Sequence, residues 1–406
     1  MINAGVIGVS GFGATHCSDL FREHEAGRLN FAAAVIHNNE VSPQFLEKLK
    51  ALKVDLFTDY PSMLAKYAGK LDICCIPTGI ALHRPMTEAA LASGANVFVE
   101  KPVAPTLADA QAMEAAARKA GRFVAVGYQT IYQPETRRIK ELILSGALGK
   151  VKRLKCYALW PRHNGYYGRN GWAGKLFNAA GEPVLDSPFT NAVAHYLNLL
   201  LFYAGNTFEG TAEVKSVQAQ MFRVNPITSC DTADMRILTQ DGKELLFYVS
   251  HAIPMREGPI SLLECEKGSI WYDQKETVVT DAGGKEIDRF ASADSLETRL
   301  NVWKHLRAKV TDPEGFICTV KLASKAVLVS NAVFDSAPIV DLPGSLMDIN
   351  VDEEGHILRI IRGMGELIRR CYEENRLIGK ADFPYAAEPA VFDLAGYKGF
   401  TGTLCR

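Results

Sequence analysis

Ile2-Asn3-Ala4-Gly5-Val6-Ile7-Gly8-Val9-Ser10-Gly11-Phe12-Gly13-Ala14-Thr15-His16 opens the chain. A run of β-branched and small apolar residues meets a glycine cluster, and the stretch from Ala14 to about Glu25 then reads as a helix. This order is the layout of a dinucleotide phosphate loop. Glycines let the backbone approach a pyrophosphate, which sits on the free N–H groups at the helix N-terminus. One departure stands out: Gly8-x-Ser10-x-x-Gly13 sets Ser10 where a middle glycine is usual, with Gly11 directly after it. A tight turn alone is the plain alternative, but it has no need of the first strand–helix junction.

Working outward, Phe31–Ile36 reads as a second strand, followed by His37-Asn38-Asn39-Glu40. An aspartate at this strand end would hydrogen-bond a ribose 2′-hydroxyl and repel a 2′-phosphate. His37 stands there instead, with no arginine beside it. Two readings stay open for it, a polar loop residue or an adenosine contact, with Glu40 as the alternative ribose partner. NAD and NADP are therefore equal expectations. Further on, strands at 71–76, 96–99 and 123–126 alternate with helices near 85–93 and 107–120. Such alternation builds a doubly wound parallel sheet, and residues 1–126 are its expected extent.

Within that domain, Val97-Phe98-Val99-Glu100-Lys101-Pro102 ends an apolar run in a carboxylate, an amine and a proline. Proline cannot donate to a sheet ladder and keeps the preceding residue extended. Glu100 and Lys101 are thus held at the C-terminal mouth of a strand, where open α/β sheets bind ligands.

After Gly146-Ala147-Leu148-Gly149 the pattern changes. Val151–Trp160 and Val214–Val224 alternate as strands, and Met235–Thr239 and Glu244–Ser250 flank an Asp241-Gly242 hairpin turn. Ser261–Glu266 and Ser269–Tyr272 make another hairpin around Lys267-Gly268. Residues 127–406 are expected to form an α+β domain with a large, mostly antiparallel sheet. Helices should cover one face and leave the other for self-association. A last long helical pattern is expected near Glu353–Glu374, with Ile357, Ile360, Ile361, Met364, Leu367 and Ile368 on its apolar side.

Composition excludes several classes. The 406 residues carry a net charge of −1 with mixed signs, so no basic stripe points to nucleic acid and no polybasic run to a membrane. No apolar run reaches the ~20 residues of a membrane helix. The nine cysteines are scattered, apart from Cys74-Cys75, and none form a Cys-x-x-Cys pair. Neither a metal site nor a disulfide framework is expected, and reduced thiols in the cytoplasm are the natural reading.

The second half carries its own polar constellation. Leu185-Asp186-Ser187-Pro188-Phe189-Thr190 leads into a helical run from Asn191 to Phe202, which Thr190 or Asn191 can cap. At helical spacing Asn191, His195 and Asn198 share one face, while Leu197, Leu200 and Leu201 take the buried side. A satisfied core histidine is the plain alternative for His195. Upstream, Tyr166-Tyr167-Gly168-Arg169-Asn170-Gly171-Trp172-Ala173-Gly174-Lys175 combines flat rings with hydrogen-bonding groups, which suits a polyhydroxylated ligand. A glycine-rich surface loop over packed aromatics is the alternative there.

Together these segments resemble the glucose–fructose oxidoreductase / inositol dehydrogenase (Gfo/Idh/MocA) family. The likeness runs through the N-terminal domain and resumes at Gly127-Tyr128-Gln129, at Ser145-Gly146-Ala147-Leu148-Gly149-Lys150-Val151 and at the His195 helix. It implies a Rossmann domain that holds NAD or NADP through Gly8, Ser10, Gly11, Phe12, Gly13, His37, Pro77, Thr78, His83, Glu100, Lys101 and Gln129. It implies contacts to a sugar-like substrate from Tyr128, Arg169, Trp172 and Asn191, and catalysis by Lys101 and His195. The chain departs from the family's Asp-x-Gly-x-His-x-x-Asp helix, since Asn191 and Asn198 replace its aspartates and Val193 its glycine. Asp186 is the expected substitute carboxylate. The implied activity is NAD(P)-dependent hydride transfer at a hydroxyl-bearing carbon of a sugar, cyclitol or derivative, in a homodimer or homotetramer. Two alternatives accompany it: a redox-neutral glycosidase or epimerase with tightly held NAD, and a non-catalytic nucleotide or sugar sensor.

Overall fold

The computed structural model describes residues 1–36 and 41–404. The chain forms two compact units, Met1–Tyr132 with Ser295–Ser324, and Gln133–Asp294 with Lys325–Arg406. Among the described residues no helix is long and apolar enough to cross a membrane.

In the first unit β1 (Asn3–Ile7), β2 (Asn30–Val35), β3 (Asp55–Phe57), β4 (Ile73–Ile76), β5 (Asn96–Val99) and β6 (Val124–Val126) form one sheet. Its order is β3-β2-β1-β4-β5-β6, and every pairing is parallel. The connecting helices are α1 (Phe12–Glu25), α2 (Pro43–Ala51), α3 (Tyr60–Lys66), α4 (His83–Ala92) and α5 (Leu107–Ala120). Strand order reverses between β1 and β4, which opens a crevice at their C-terminal ends. β4 and all of β5 after Asn96 are fully buried, as strands covered on both sides must be, and so they read as unbroken apolar runs. Ser42, Asp59 and Thr106 cap α2, α3 and α5 by accepting from Phe45, Ser62 and Asp109 backbone N–H groups.

A helix far along the chain, Ser295–Thr311, belongs to this unit rather than to the second domain in which the 127–406 boundary would place it. The reason is ionic. Arg299 Nε donates to the buried Asp19 Oδ2 at 2.6 Å, and Trp303 Nε1 reaches the same oxygen at 3.3 Å. Arg307 pairs with the buried Glu23 at 3.0 Å. Asp19 and Glu23 both lie on α1. The half-exposed Arg22 and Arg28 already pair with them at 3.0 and 2.8 Å, and the distant helix adds the buried half of their neutralisation.

The second unit is built on β7 (Val151–Leu159), β8 (Val214–Arg223), β9 (Thr232–Thr239), β10 (Glu244–Ser250), β11 (Glu257–Cys265), β12 (Gly268–Tyr272), β13 (Glu276–Asp281), β14 (Glu286–Ala291) and β15 (Ile339–Asp341). Their order is β14-β13-β12-β11-β7-β10-β9-β8-β15, and a tenth, two-residue strand, Phe392–Asp393, also pairs with β8. The pairings are antiparallel except β10 with β7 and β15 with β8. The short α6 (Pro134–Leu144) and α7 (Asn164–Gly168) precede α8 (Ala194–Ala204), which packs on β7 and β10.

Two expectations change here. The pattern at 353–374 is a strand, Ile357–Ile361, followed by a shorter helix, Met364–Glu373. A turn at Asp352–Gly355, with Gly355 at φ 81°, folds the strand back on Met347–Val351, and β-branched isoleucines suit that pairing. The sheet is also covered on both faces at its centre. Met364, Leu367, Ile368 and Cys371 of the helix, with Leu377, Ile378 and Phe383, pack on Tyr157, Leu159, Leu246 and Tyr248.

The Asp19–Arg299 pair gives the first test. Arg299→Met leaves Asp19 with only the half-exposed Arg22 as counter-charge, and chemical denaturation should show a loss approaching about 3 kcal/mol. A loss no larger than that of a surface substitution contradicts the ionic account.

Candidate active site

α1 begins where β1 ends. Gly13 N–H donates to Ser10 O at 2.9 Å, closing a tight turn against the strand end. A Cβ at Gly13 would stand 2.4 Å from Gly8 O, so no side chain fits between loop and helix. The N-cap Gly11 brings no side chain to the helix end, and the first turn of α1 holds no acidic residue. Ser10, Gly11 and Phe12 are exposed. A helix N-terminus kept free of negative side chains, with open backbone in front, fits the pyrophosphate of a dinucleotide. Pro77 closes the side of this loop, 3.5 Å from the Cβ position of Gly13, and Thr78 stands at the same distance from that of Gly8. His37 and Glu40 lie outside the described residues.

Glu100 is 6% exposed at the mouth of β5, and its Oε1 pairs with Nε2 of the buried His16 at 2.9 Å. Burial by itself raises the Glu100 carboxyl. The His16 hydrogen bond and the charges of His16, Arg299 and Lys101 outweigh that and hold it at about 2. Room for the carboxylate comes from Gly127, where a Cβ would meet Glu100 Oε1 at 2.8 Å. Lys101 follows, half-buried, its backbone N–H donating to Glu100 Oε2 at 3.1 Å.

Several expected cofactor contacts turn out to brace this mouth. His83 is buried, with Nδ1 3.0 Å from Pro102 O and Nε2 3.1 Å from Thr78 O, so its ring ties the exits of β4 and β5 together. Burial holds that imidazole below its usual range. Gln129 Oε1 accepts from Arg299 Nη1 at 3.1 Å. Phe12 lies edge-on to His16, with ring centres 5.8 Å apart. Tyr128 is 1% exposed, packed inside this unit rather than open to a ligand.

In the second unit, residues 188–192 form their own wide helical turn, capped by Ser187 and closed by Val193 N–H on Pro188 O at 3.0 Å, and the helix breaks at Val193 before α8 starts. Asn191 is therefore not on one helical face with His195, and Asn198 is fully buried. His195 is half-buried in the first turn of α8. Asp186 is nearly buried and both its oxygens are engaged. Oδ2 accepts from Gly174 N–H at 2.6 Å, and Oδ1 from Asn191 Nδ2 at 2.7 Å. Leu185, just before it, holds φ 49°, a conformation that disfavours any residue with a Cβ. Asp186 thus joins the Gly174 loop to Asn191, a connection that the sequence reading, which made it the substitute carboxylate for His195, did not include. Its lone pairs serve protein donors, which suits a positioning carboxylate better than a base. Arg169 lies over the Tyr166 ring at 3.7 Å and 5.4 Å from the Trp172 ring centre, so these expected ligand groups do cluster.

His16, Asp19 and Arg299 went unassigned in the sequence. His16 sits inside the opening stretch and could have been flagged by its place one turn into α1. Nothing local signals Arg299, which lies 280 residues from Asp19. No cluster of potential metal ligands occurs among the described residues.

Comparison with known proteins agrees with this geometry. Residues 2–128 match the family model described as "Oxidoreductase family, NAD-binding Rossmann fold", and residues 136–271 match the "GFO/IDH/MocA C-terminal domain". The chain belongs to the Gfo/Idh/MocA oxidoreductase family. It is 39% identical over 82 residues to the 1-carboxy-3-chloro-3,4-dihydroxycyclo hexa-1,5-diene dehydrogenase of Comamonas testosteroni, a stretch covering 20% of this chain and 21% of that protein. It is 26% identical over 248 residues to the D-apiose dehydrogenase of Rhizobium rhizogenes, covering 60% and 67% of the two chains. The aligned stretch thus spans about a fifth of the first of these relatives. The crystal structure of GenD2 from gentamicin A biosynthesis, in complex with NAD, shares the fold. Its TM-score is 0.65 at 19% identity, over 82% of this chain and 93% of that one.

Two outcomes follow. Gly13→Val should abolish NAD and NADP binding in a calorimetric titration while leaving the melting transition cooperative; unchanged affinity for both contradicts the loop assignment. Because folding lowers the Glu100 pKa from 4.5 to about 2, its contribution is complete above the unfolded value and lost as pH falls through the folded one. Acid denaturation of Glu100→Gln should lack that step between about pH 4.5 and 2. A variant curve parallel to wild type over that window opposes the assignment.

Proposed function

We propose that this chain is an NAD(P)-dependent oxidoreductase that moves a hydride between nicotinamide and a hydroxyl-bearing carbon of a sugar, cyclitol or sugar derivative. The observation that carries the reading is Lys101 at a strand mouth, set directly after a carboxylate held ionised by His16, in the unit that also carries the phosphate loop. When bound, the dinucleotide supplies the hydride acceptor. Gly8, Ser10, Gly11, Phe12 and Gly13 hold its pyrophosphate at the α1 N-terminus, and Pro77 and Thr78 flank it. Glu100 stays anionic and fixes the backbone of Lys101 through its N–H.

Lys101 then donates a hydrogen bond to the substrate oxygen and handles the hydroxyl proton as the carbon is oxidised. His195 is the second proton-handling group. Asp186 acts as a positioning residue through Asn191 and the Gly174 loop, with Arg169, Trp172 and Asn191 as the substrate contacts of this reading, while the buried Tyr128 shapes the first unit from within. Acid–base help of this kind is worth about 10²–10⁴-fold.

The reading extends to setting. All eight described cysteines are free thiols, which supports a reducing compartment such as the cytoplasm. A homodimer or homotetramer is the proposed assembly. With the sheet centre covered by Met364–Glu373, its contact falls on β12–β14, where Trp271 and Val278 are only half-buried.

The test follows reduced nucleotide in a panel of aldoses, cyclitols and sugar acids, with NAD and NADP in parallel. Lys101→Ala and His195→Ala should each lower kcat by about 10²-fold or more, with nucleotide affinity nearly intact. Asp186→Asn should be milder and change KM more than kcat. Full turnover in Lys101→Ala removes the acid–base assignment. Nucleotide binding without turnover of any substrate favours a sensor instead.

A further inference from the structure

The second unit carries a cluster that hydride transfer does not require. β7 continues past Leu159, with Trp160 N–H donating to Ser250 O at 2.9 Å and Arg162 N–H to His251 O at 3.0 Å. Trp160 and Arg162 are thereby fixed beside His251, just beyond β10. α7 brings Tyr166 to the same place, its ring centre 5.9 Å from that of His251. Two guanidiniums stand over this one tyrosine, Arg162 at 4.7 Å and Arg169 at 3.7 Å, and a third, Arg256, lies 4.1 Å over Trp160.

Other arginines of the unit, among them Arg153, Arg223, Arg289 and Arg376, are held by carboxylates. None of the described residues pairs in this way with Arg162, Arg169 or Arg256, whose contacts are backbone carbonyls, aromatic rings and, for Arg162, the Tyr166 hydroxyl. Exposed arginines on aromatic faces are stable unaided. This cluster goes further, because Arg162 Nε is buried without a hydrogen-bond partner. Unpaired like charges gathered on two rings repel one another, and an anion would relieve them. Asp186 contributes negative charge near Tyr166 and Tyr167 and Asp231 near Tyr167; held by the neutral donors of Gly174 and Asn191, Asp186 keeps its charge and offsets at most one of the three guanidiniums.

His251 adds a requirement of another kind. It is 2% exposed, and Nδ1 lies 2.7 Å from Trp160 O. A carbonyl only accepts, so Nδ1 carries the proton. Burial, with the charges of Arg162 and Arg169, keeps the ring neutral down to about pH 3. Nε2 is then a lone-pair acceptor, buried and without a partner. It calls for a donor, and a ligand hydroxyl is one. The Tyr167 hydroxyl is a further buried polar group lacking a partner.

Resting on the oxidoreductase reading, we propose that the substrate is a polyol bearing an anionic group, which Arg162 and Arg169 hold while a neighbouring hydroxyl donates to His251 Nε2. Guanidinium forks match carboxylate and phosphate oxygens alike, so the chemical class is a sugar acid or sugar phosphate, and a neutral sugar lacks the anchor.

The full chain, with NAD or NADP present, is titrated calorimetrically with D-glucose and D-galactose and with their uronates, aldonates and 6-phosphates. At least one acid or phosphate should bind about 10²-fold more tightly than its neutral parent. The better of the two anion classes identifies the group. Arg162→Gln and Arg169→Gln should each reduce that preference by about tenfold or more, and Arg162→Lys and Arg169→Lys should recover part of it. Melting curves confirm that the variants fold, and the lysine variants serve should the glutamines fail. Equal affinity for acid and neutral sugars, no binding of either, or an unchanged preference in the arginine variants overturns the proposal. Turnover in the same mixtures reports separately: anion binding without reduced nucleotide keeps the anion site and removes the oxidoreductase reading, while turnover of neutral sugars alone does the reverse.

Discussion

A carboxylate taken out of water costs several kcal/mol unless positive groups and donors surround it. Glu100 is such a carboxylate, and the first unit is arranged around keeping it ionised. His16 comes from α1, Arg299 from a helix far along the chain, and Lys101 from the next residue. The arrangement couples two parts of the sheet mouth. The helix whose free N-terminus fits a phosphate also carries His16, which ties it to the strand that presents Lys101. Gly127 leaves the space, and His83 fixes the segment that follows.

The second unit solves a different problem. A sheet of ten paired strands must cover two apolar faces, and here the chain supplies both covers itself, α8 on one and Met364–Glu373 with the residues after it on the other. A core packed from both sides makes the ends of β7 and β10 stiff. Those ends carry Trp160, Arg162 and His251, so the aromatic and cationic groups stand on rigid strands. Precision at a binding site is easier to keep on such a base than on a mobile loop.

Most of the first unit was legible because its signals are local. A glycine cluster between a strand and a helix, and a proline after Glu100-Lys101, each act within a few residues. The three-residue β3 was too short to announce itself, and the Asp19–Arg299 pair was invisible because its partners are 280 residues apart. In the second unit the hairpins at Asp241-Gly242 and Lys267-Gly268 were plain from turn chemistry. The Ile357–Ile361 strand was not, since isoleucines three and four apart fit a helix as well as a strand until Gly355 turns the chain. The break at Val193 likewise defeated helical spacing, separating Asn191 from His195. Asp186 was legible as a nearby carboxylate, while its commitment to Asn191 and Gly174 depends on a loop fold that no spacing reveals.

The central claim is that this chain takes a hydride from a hydroxyl-bearing carbon of a polyol. The most direct measurement uses the preferred substrate carrying deuterium on that carbon, with mass spectrometry of the nucleotide and the product after turnover. The account predicts deuterium in the reduced nucleotide and none on the oxidised carbon of the product. Unlabelled nucleotide, with deuterium kept on the sugar, would contradict it.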